Sequence, residues 1–285
     1  MTQIKKLLFP VDASASSRGA VKHVRVFADH FKAETIFLHA AGTQETQATK
    51  HEVNAAKARI AELFVDDLPA LNAEIICMPG DPAESIRELA HSWKPDLVMM
   101  PTRGRGEYRR HLLGSVTAKV LCDLDCPVWT SVHAENALAA AKIEYGRILC
   151  ALDMLEHSDH VLAWAKWLAD EYGSSFGIVH AMATVDPSFK PGHIDPALGD
   201  PSSGYGLYMA ERAQQRIAVL QAEVGSTGEV FIVPGSPIGV VPEVASRFNA
   251  DMAVIGRRSG GAIAHDVFHD VSAILRNMPC PVISI

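Results

Sequence analysis

Short, uninterrupted apolar runs alternate with segments of helical periodicity along the first half of the chain. Runs that are apolar at every position are typical of parallel strands covered by helices on both faces. The alternation of strand and helix predicts a parallel sheet with right-handed crossovers. The apolar runs predict strands at residues 4–11, 35–40, 73–78, 97–100 and 127–132. The segments between them predict a helix from Ser14 or Ser16 to about Phe31, then helices over 49–67, from Asp81-Pro82 onward, and over 114–124.

The second half repeats this order. Residues 7–12, Leu-Leu-Phe-Pro-Val-Asp, return at 148–153 as Ile-Leu-Cys-Ala-Leu-Asp, and the apolar run after Asp96 returns after Asp251. An ordered duplication predicts an α/β fold of two tandem doubly wound domains, each a five-stranded parallel sheet with helices on both faces. We place the domains at 1–133 and 146–285, with a linker over 133–145. The second set comprises strands at 147–152, 176–181, 229–233, 252–255 and 282–285 and helices at 158–172, 205–224 and 238–248.

Composition excludes several classes of protein. The net charge of −7 comes without a basic stripe, which argues against a nucleic-acid partner. Five scattered cysteines, an odd number, argue against a disulfide framework and for a reducing compartment. No apolar stretch approaches the roughly 18 residues of a membrane span, and residues 1–6 are too short and charged for a signal peptide. We therefore expect a cytoplasmic protein with no membrane association.

Candidate chemistry gathers after the fourth predicted strand. In a doubly wound sheet, ligands bind outside the carboxyl ends of the strands. The loop there contains Gly104 and later Gly114-Ser115 at a predicted helix start. Glycines let a backbone approach a phosphate, and the first amides of a helix donate to it. The positive charge that an anion needs would come from Arg103, Arg105, Arg109 and Arg110.

These residues resemble the universal stress protein family in its tandem two-domain form. Nucleotide-binding members carry the motif Gly-x2-Gly-x9-Gly-Ser/Thr after the fourth strand and an aspartate at the end of the first. Here Gly104, nine further residues and then Gly114-Ser115 match the latter part of the motif, and Asp12 matches the aspartate. The resemblance covers nearly the whole chain, twice. It implies an adenine nucleotide alpha hydrolase-like fold, a role in the stress response, and ATP or a related adenine nucleotide as ligand.

The resemblance also implies a set of binding residues in the first domain. Asp12, with Pro10 and Val11 before it, would hold a ribose hydroxyl or the base edge, and the backbone at Ala40 would contact adenine. The ribose and phosphates would be bordered by Gly80, Met100, Thr102 and Arg103. The phosphates would be held by Gly104, Gly114, Ser115, Val116 and Thr117.

Departures from the family pattern separate the two halves. Pro101 stands where the motif has its first glycine, and proline has no amide to donate. The second half keeps that glycine as Gly256 but has His269-Asp270 where Gly-Ser should stand. A carboxylate there would repel a triphosphate and compete for the same donors. We predict that the first domain binds nucleotide, and that the second binds no ATP or binds something else.

Other patterns have structural explanations beside functional ones. His265 and His269 have the one-turn spacing of zinc-binding pairs, but without an assured third ligand a polar helix face is the preferred interpretation, so we expect no metal. Matched histidines after the second strand of each half, His39 and His180, are interpreted as structural. Cys122 and Cys126 are also a turn apart, and we interpret them as thiols without redox function. The segment over 184–206 is rich in Pro, Gly, Asp and Ser and is predicted as a lid or a mobile loop.

Catalytic machinery is not evident in the sequence. There is no Ser-His-Asp set, no Walker lysine and no dedicated carboxylate pair for a metal, so we expect at most slow ATP hydrolysis. Two alternatives stay open: a nucleotide-independent scaffold or interaction protein, and a binder of another nucleotide-like ligand. The two fifth strands are expected to pair within one chain as a pseudo-dimer, because a sheet edge needs a partner. Further association into a homodimer is left open.

Overall fold

A computed structural model describes residues 3–42, 48–102, 113–155, 157–182, 204–257 and 264–285. The chain divides into two compact units. The first consists of Met1–Glu144, Arg257–Arg276 and Pro281–Ile285, and the second of Tyr145–Gly256 and Asn277–Cys280. The chain thus returns to the first unit at Arg257, inside the second sequence repeat. The predicted domain ranges of 1–133 and 146–285 stay a prediction.

The described elements follow the predicted alternation. The strands are β1 (Lys6–Pro10), β2 (Glu34–Ala41), β3 (Glu74–Pro79), β4 (Leu97–Met99), β5 (Val128–Thr130), β6 (Arg147–Ala151), β7 (Ser175–Met182), β8 (Glu229–Pro234), β9 (Met252–Ile255) and β10 (Val282–Ser284). The helices are α1 (Ala15–Phe31), α2 (Lys50–Leu63), α3 (Leu68–Leu71), α4 (Pro82–Trp93), α5 (Ser115–Asp123), α6 (Ser158–Tyr172), α7 (Gly204–Val224), α8 (Pro237–Phe248) and α9 (Ala264–Asn277). No described helix combines the length and apolarity that crossing a membrane requires.

Strand order confirms the predicted fold class. In the first unit the order is β3-β2-β1-β4-β5-β10, and in the second it is β9-β6-β7-β8. Within the first unit β1 pairs in parallel with β2 on one side and β4 on the other, with Leu8 opposite both Ile36 and Val98. Strands β2 and β3 are thus added on one side of β1, and β4 and β5 on the other side. This change of side puts the topological switch point at the carboxyl ends of β1 and β4.

The predicted pairing of the two fifth strands within one chain is confirmed. Strand β10 runs antiparallel to β5, with Val282 opposite Thr130 and Ile283 opposite Trp129. Both strands belong to the first unit. The pairing covers the edge of β5, which would otherwise present open hydrogen-bonding groups.

Aromatic packing fills the core beneath β1 and β2. Phe9, Phe37 and Phe64 are almost fully buried. The Phe9 and Phe37 ring centroids lie 5.0 Å apart, and those of Phe37 and Phe64 lie 5.4 Å apart, both edge-on. Edge-to-face geometry is the favoured arrangement of aromatic pairs, and each buried ring contributes a large apolar area. This packing explains why the strand runs are apolar throughout.

Two segments differ from the sequence prediction. The predicted helix over 49–67 ends at Leu63, and α3 follows after a turn. The predicted linker contains a 3₁₀ helix, Ala134–Ala139, that packs on α1. Of the two candidate serines, Ser14 caps α1 and Ser16 does not. The Ser16 hydroxyl instead donates to Glu135 Oε2 over 3.1 Å. The linker comes closest to α1 at Gly19, where a side chain would overlap the Ala134 backbone.

Helix α9 was not among the predicted helices. It places His265 and His269 on one turn, the spacing noted in the sequence. Their side chains lie outside the described structure, as does most of the 184–206 segment. Within the described residues, no group of three or more His, Cys, Asp or Glu side chains is arranged to hold a metal ion. All five cysteines are free thiols, and desolvation raises the pKa of both Cys122 and Cys126.

Replacing Gly19 with alanine tests the close contact between α1 and the 3₁₀ helix. A Cβ at Gly19 would lie 1.9 Å from the Ala134 carbonyl oxygen. We expect Gly19→Ala to lower the free energy of unfolding by about 1–3 kcal/mol, as overpacking does. Gly239→Ala on α8 is the matched control, because a Cβ there meets nothing within 4 Å. Equal denaturation midpoints for the two variants would contradict the packed contact.

Acid titration tests the burial of His23. Its ring packs on Trp129 with centroids 4.9 Å apart, and desolvation lowers the pKa of His23 from 6.5 to about 4. Between these values the unfolded chain binds a proton that the folded protein does not, so stability falls as the pH drops through this window. The loss attributable to His23 reaches about 3 kcal/mol. His23→Leu should show a correspondingly smaller loss of unfolding free energy between pH 6.5 and 4. An unchanged loss would show that His23 is not its source.

Candidate functional site

The predicted residues converge on the carboxyl ends of β1 and β4. Asp12 follows β1, Met100 and Thr102 follow β4, and Gly80 follows β3. Because parallel strands end at one edge of the sheet, these positions lie along the edge that contains the switch point. Pro10, Val11 and Met100 are buried there, and Asp12, Ala40 and Gly80 are half-buried. Arg103 and Gly104 lie outside the described residues, as do the other three arginines of the loop.

Asp12 is held by hydrogen bonds that use one of its two carboxylate oxygens. Its Oδ1 accepts from the Ser14 amide over 3.0 Å and from the Ser17 hydroxyl over 2.7 Å. The Ser17 hydroxyl in turn accepts from the Asp12 amide over 3.2 Å. Within the described part of the chain, no hydrogen bond engages Oδ2. A fixed carboxylate with one uncommitted oxygen can accept a hydrogen bond from a ligand hydroxyl.

The ends of β2 and β3 are shaped by His39 and Gly80. The Nδ1 atom of His39 lies 2.8 Å from the Val11 carbonyl oxygen. A carbonyl only accepts, so Nδ1 carries the proton, and the structural role expected for His39 is supported. Gly80 has φ of +117°, and its amide donates to the Ala41 carbonyl over 2.9 Å. Glycine tolerates that φ, and the space beside it is open.

Helix α5 begins without a side-chain cap. Its N-cap is Gly114, and its first turn contains no acidic residue. In contrast, side chains cap four other helices: Ser14 caps α1, Thr49 α2, Asp81 α4 and Ser236 α8. Because a helix cannot satisfy its own first amides, those of Ser115, Val116 and Thr117 point out of the helix, and none has an acceptor among the described residues.

Thr102 and Gly114 join the two ends of the loop that leads to α5. The Gly114 amide donates to the Thr102 carbonyl over 2.9 Å, and the Thr102 amide donates to the Ser131 carbonyl over 3.0 Å. A Cβ at Gly114 would lie 2.9 Å from the Thr102 oxygen, so the approach requires glycine. This hydrogen bond places the start of α5 beside the end of β4.

The hydroxyls of two predicted site residues, Thr117 and Thr102, donate to backbone carbonyls in this structure. The Thr117 hydroxyl donates to the Pro101 carbonyl over 3.3 Å, and the Thr102 hydroxyl donates to the Ser131 carbonyl over 3.1 Å. Both side chains are buried. A hydroxyl has a single proton, so in this structure neither side chain has a proton left to donate to a phosphate. Ser115 is exposed and its hydroxyl has no described partner.

A cation at the margin of the site was not identified from the sequence. Lys119 Nζ lies 3.8 Å from Asp81 Oδ1, next to Gly80. Lys119 is one turn beyond Ser115 on α5, so the two side chains share a face of the helix. The four-residue spacing of Ser115 and Lys119 was the feature of the sequence that could have indicated this cation. Asp81 also caps α4 by accepting from the amides of Ala83 and Glu84.

The second unit reproduces part of this geometry. Asp153 Oδ1 accepts from the Leu155 amide over 2.9 Å and from the Ser158 hydroxyl over 3.0 Å. His180 Nδ1 lies 2.9 Å from the Leu152 carbonyl oxygen. Gly235 has φ of +141°, and its amide donates to the Met182 carbonyl over 2.9 Å. These contacts match those of the Asp12 Oδ1 atom, the His39 ring and the Gly80 amide.

The helix start is where the repeats differ. Helix α9 begins at Ala264, so His269 and Asp270 lie inside it, where α5 has its first residues. Amides within a helix donate to carbonyls four residues earlier. The amides of His269 and Asp270 are therefore engaged, whereas those of Ser115 and Val116 are not. The second repeat lacks an amide cradle at this position because its helix starts earlier.

Comparison with known proteins agrees with the repeat and the fold. A model of the universal stress protein family matches residues 3–131 and 144–285. A universal stress protein of Methanocaldococcus jannaschii is 31% identical over 137 residues, covering 44% of this chain and 79% of that protein. One from Mycobacterium tuberculosis is 23% identical over 246 residues, covering 84% and 77%. The crystal structure of a universal stress protein from Archaeoglobus fulgidus, 22% identical, matches with a TM-score of 0.71 over 99% of this chain and 96% of that one, which shows the fold. The chain therefore belongs to the universal stress protein family and carries two copies of the family's domain in tandem.

Proposed function

We propose that the first unit binds an adenine nucleotide such as ATP, with its phosphates on the first turn of α5. The uncapped start of that helix carries the proposal. Three adjacent amides without a described acceptor, beside a loop rich in arginine, form an anion site. The positive end of the helix dipole favours the same negative charge. As a family member, the protein would act in the stress response through this binding.

The remaining contacts follow the crevice from α5 towards β2. The uncommitted Oδ2 of Asp12 would accept from a ribose hydroxyl, and the backbone at Ala40 would contact the base. Gly80 leaves open space at the end of β3. Met100, Thr102, Arg103 and Gly104 would border the ribose and phosphates. Pro101 supplies no amide, so the phosphates depend more strongly on the amides of α5.

The second repeat is proposed to bind no triphosphate. Its helix α9 runs through the position at which α5 starts, so the corresponding amides have intrahelical partners. Asp270 adds a negative charge in the same stretch of sequence. The stoichiometry should therefore be one nucleotide per chain, held by the first unit.

A nucleotide-independent interaction protein is the second candidate. Leu207 and Tyr208, near the start of α7, are 57% and 53% exposed. Adjacent exposed apolar side chains favour a protein contact. This candidate predicts no nucleotide binding at any concentration near the physiological range. A titration of the protein with ATP therefore separates it from the proposal of nucleotide binding.

Cyclic AMP belongs in the binding assay beside ATP. A universal stress protein has been solved in complex with cAMP, and a cyclic monophosphate presents one phosphate where ATP presents three. The amides of α5 should favour the ligand with more phosphate charge. ATP binding weaker than cAMP binding would contradict a site organised around a polyphosphate.

An acidic residue in the first turn of α5 should separate binding from stability. Ser115→Asp places a carboxylate beside the free amides, which stabilises the helix by about 0.3–1 kcal/mol but repels phosphate. We expect ATP affinity to fall at least tenfold, or about 1.4 kcal/mol, with an unchanged or higher melting temperature. Isothermal titration calorimetry and thermal unfolding measure the two effects.

Two variants serve as controls for this experiment. Ser115→Ala removes the hydroxyl and keeps the amides, so its affinity for ATP should fall less than that of Ser115→Asp. Ile238→Asp places the same charge in the first turn of α8 in the second unit and should leave ATP affinity unchanged. Wild-type affinity in Ser115→Asp would show that ATP, if bound, does not use the start of α5.

A further inference from the structure

Arg257 is half-buried, with a buried Nε, and its guanidinium reaches the far end of α5. Its Nη2 donates to the Cys126 carbonyl over 2.6 Å and to the Leu124 carbonyl over 2.5 Å. Its Nη1 donates to the Ser284 carbonyl over 3.3 Å and to the Ser284 hydroxyl over 3.1 Å. Leu124 is the C-cap residue of α5, directly after its last residue, Asp123. The guanidinium therefore joins the end of α5 to strand β10 within the first unit.

The position of Arg257 in the repeat is informative. Counted from the matched Asp96 and Asp251, Arg257 is equivalent to Thr102. The backbone contact is retained, because the Thr102 amide donates to Ser131 and the Arg257 amide donates to Ile285, over 3.0 and 2.6 Å. The side chains differ. The Thr102 hydroxyl donates to the Ser131 carbonyl, whereas the Arg257 guanidinium donates to the Leu124 carbonyl at the end of α5.

Helix α5 needs an external support. It has only nine residues and carries no basic residue in its last turn. Helices this short are marginal by themselves and depend on tertiary contacts. Their last carbonyls lack intrahelical partners and form the negative end of the dipole, which a cation stabilises. Arg257 brings a positive charge to this end of α5 and donates to the carbonyl of its C-cap residue, Leu124.

Holding Arg257 in this place has a cost. Desolvation lowers the pKa of Arg257, and its Nε is buried without a hydrogen-bond partner among the described residues. A methionine or leucine would fill a similar volume without burying a charge. The four hydrogen bonds offset the desolvation penalty of Arg257 only if α5 and β10 both stay in place. Arg257 therefore fixes the relative position of α5 and β10, and does not add hydrophobic stability.

We propose that Arg257 is a positioning residue for the anion site: it fixes the end of α5 so that the amides of the opposite end face the ligand. The proposal rests on the proposed nucleotide function of α5. It gives the second repeat a role in the first site that does not require a ligand of its own. Without Arg257, α5 would populate frayed conformations that bind less well, because apparent affinity scales with the fraction of competent protein.

Hydrogen–deuterium exchange of the ligand-free full chain, together with ATP titration, tests the proposal. For Arg257→Met we expect about tenfold faster exchange within α5 and about tenfold weaker ATP binding. Arg257→Lys should be intermediate in both measurements, since an ammonium can donate to Leu124 and Cys126 but cannot also span to Ser284. If Arg257→Met does not fold, Arg257→Lys carries the test, with smaller changes in the same direction.

Two controls distinguish positioning from general stability. Ile217→Val removes a buried methylene in the second unit, and Arg247→Met removes an exposed arginine from α8. Both should leave exchange in α5 and ATP affinity unchanged. Uniformly faster exchange in the Arg257 variants, or faster exchange in α5 with unaltered ATP affinity, would overturn the proposal. If the wild type binds no ATP, the proposed function fails, and the exchange of α5 alone decides whether Arg257 holds the helix.

Discussion

The first amides of a helix must find acceptors outside the helix, and this constraint organises the candidate site. Helices α1, α2, α4 and α8 meet it with a serine, threonine or aspartate cap. The N-cap of α5 is Gly114, which has no side chain, and the close approach of Gly114 to Thr102 leaves no room for one. The same glycine that joins the loop to β4 therefore leaves the helix start open. An anion can satisfy the three amides at once.

The two repeats show how a site can be lost while its fold is kept. Asp12 and Asp153, His39 and His180, and Gly80 and Gly235 make the same hydrogen bonds. These contacts secure the ends of strands, so they are needed whether or not a ligand binds. The helix that follows differs between the repeats, because α9 begins earlier, at Ala264. Arg257 has meanwhile become a support for α5.

Much of the fold could be predicted because it depends on local patterns. Each strand is an apolar run bounded by turn residues, and Ser14 and Asp81 mark helix starts directly. The start of α9 could not be predicted, because Ile263 before it is not a capping residue. Thr117 was expected to hold phosphate and Thr102 to border the ribose and phosphates, but their hydroxyls donate to carbonyls distant in the sequence. The contact of Arg257 with Leu124 spans more than a hundred residues, so no local pattern could indicate it.

Amide chemical shifts offer the most direct test of the α5 site. In a ¹⁵N-labelled sample titrated with ATP, the amide protons of Ser115, Val116 and Thr117 should move downfield together and saturate at one nucleotide per chain. The amides of His269 and Asp270, already engaged within α9, should not respond. Shifts that appear at His269 and Asp270 but not at Ser115, or an ATP complex that leaves all three α5 amides unmoved, would contradict the site.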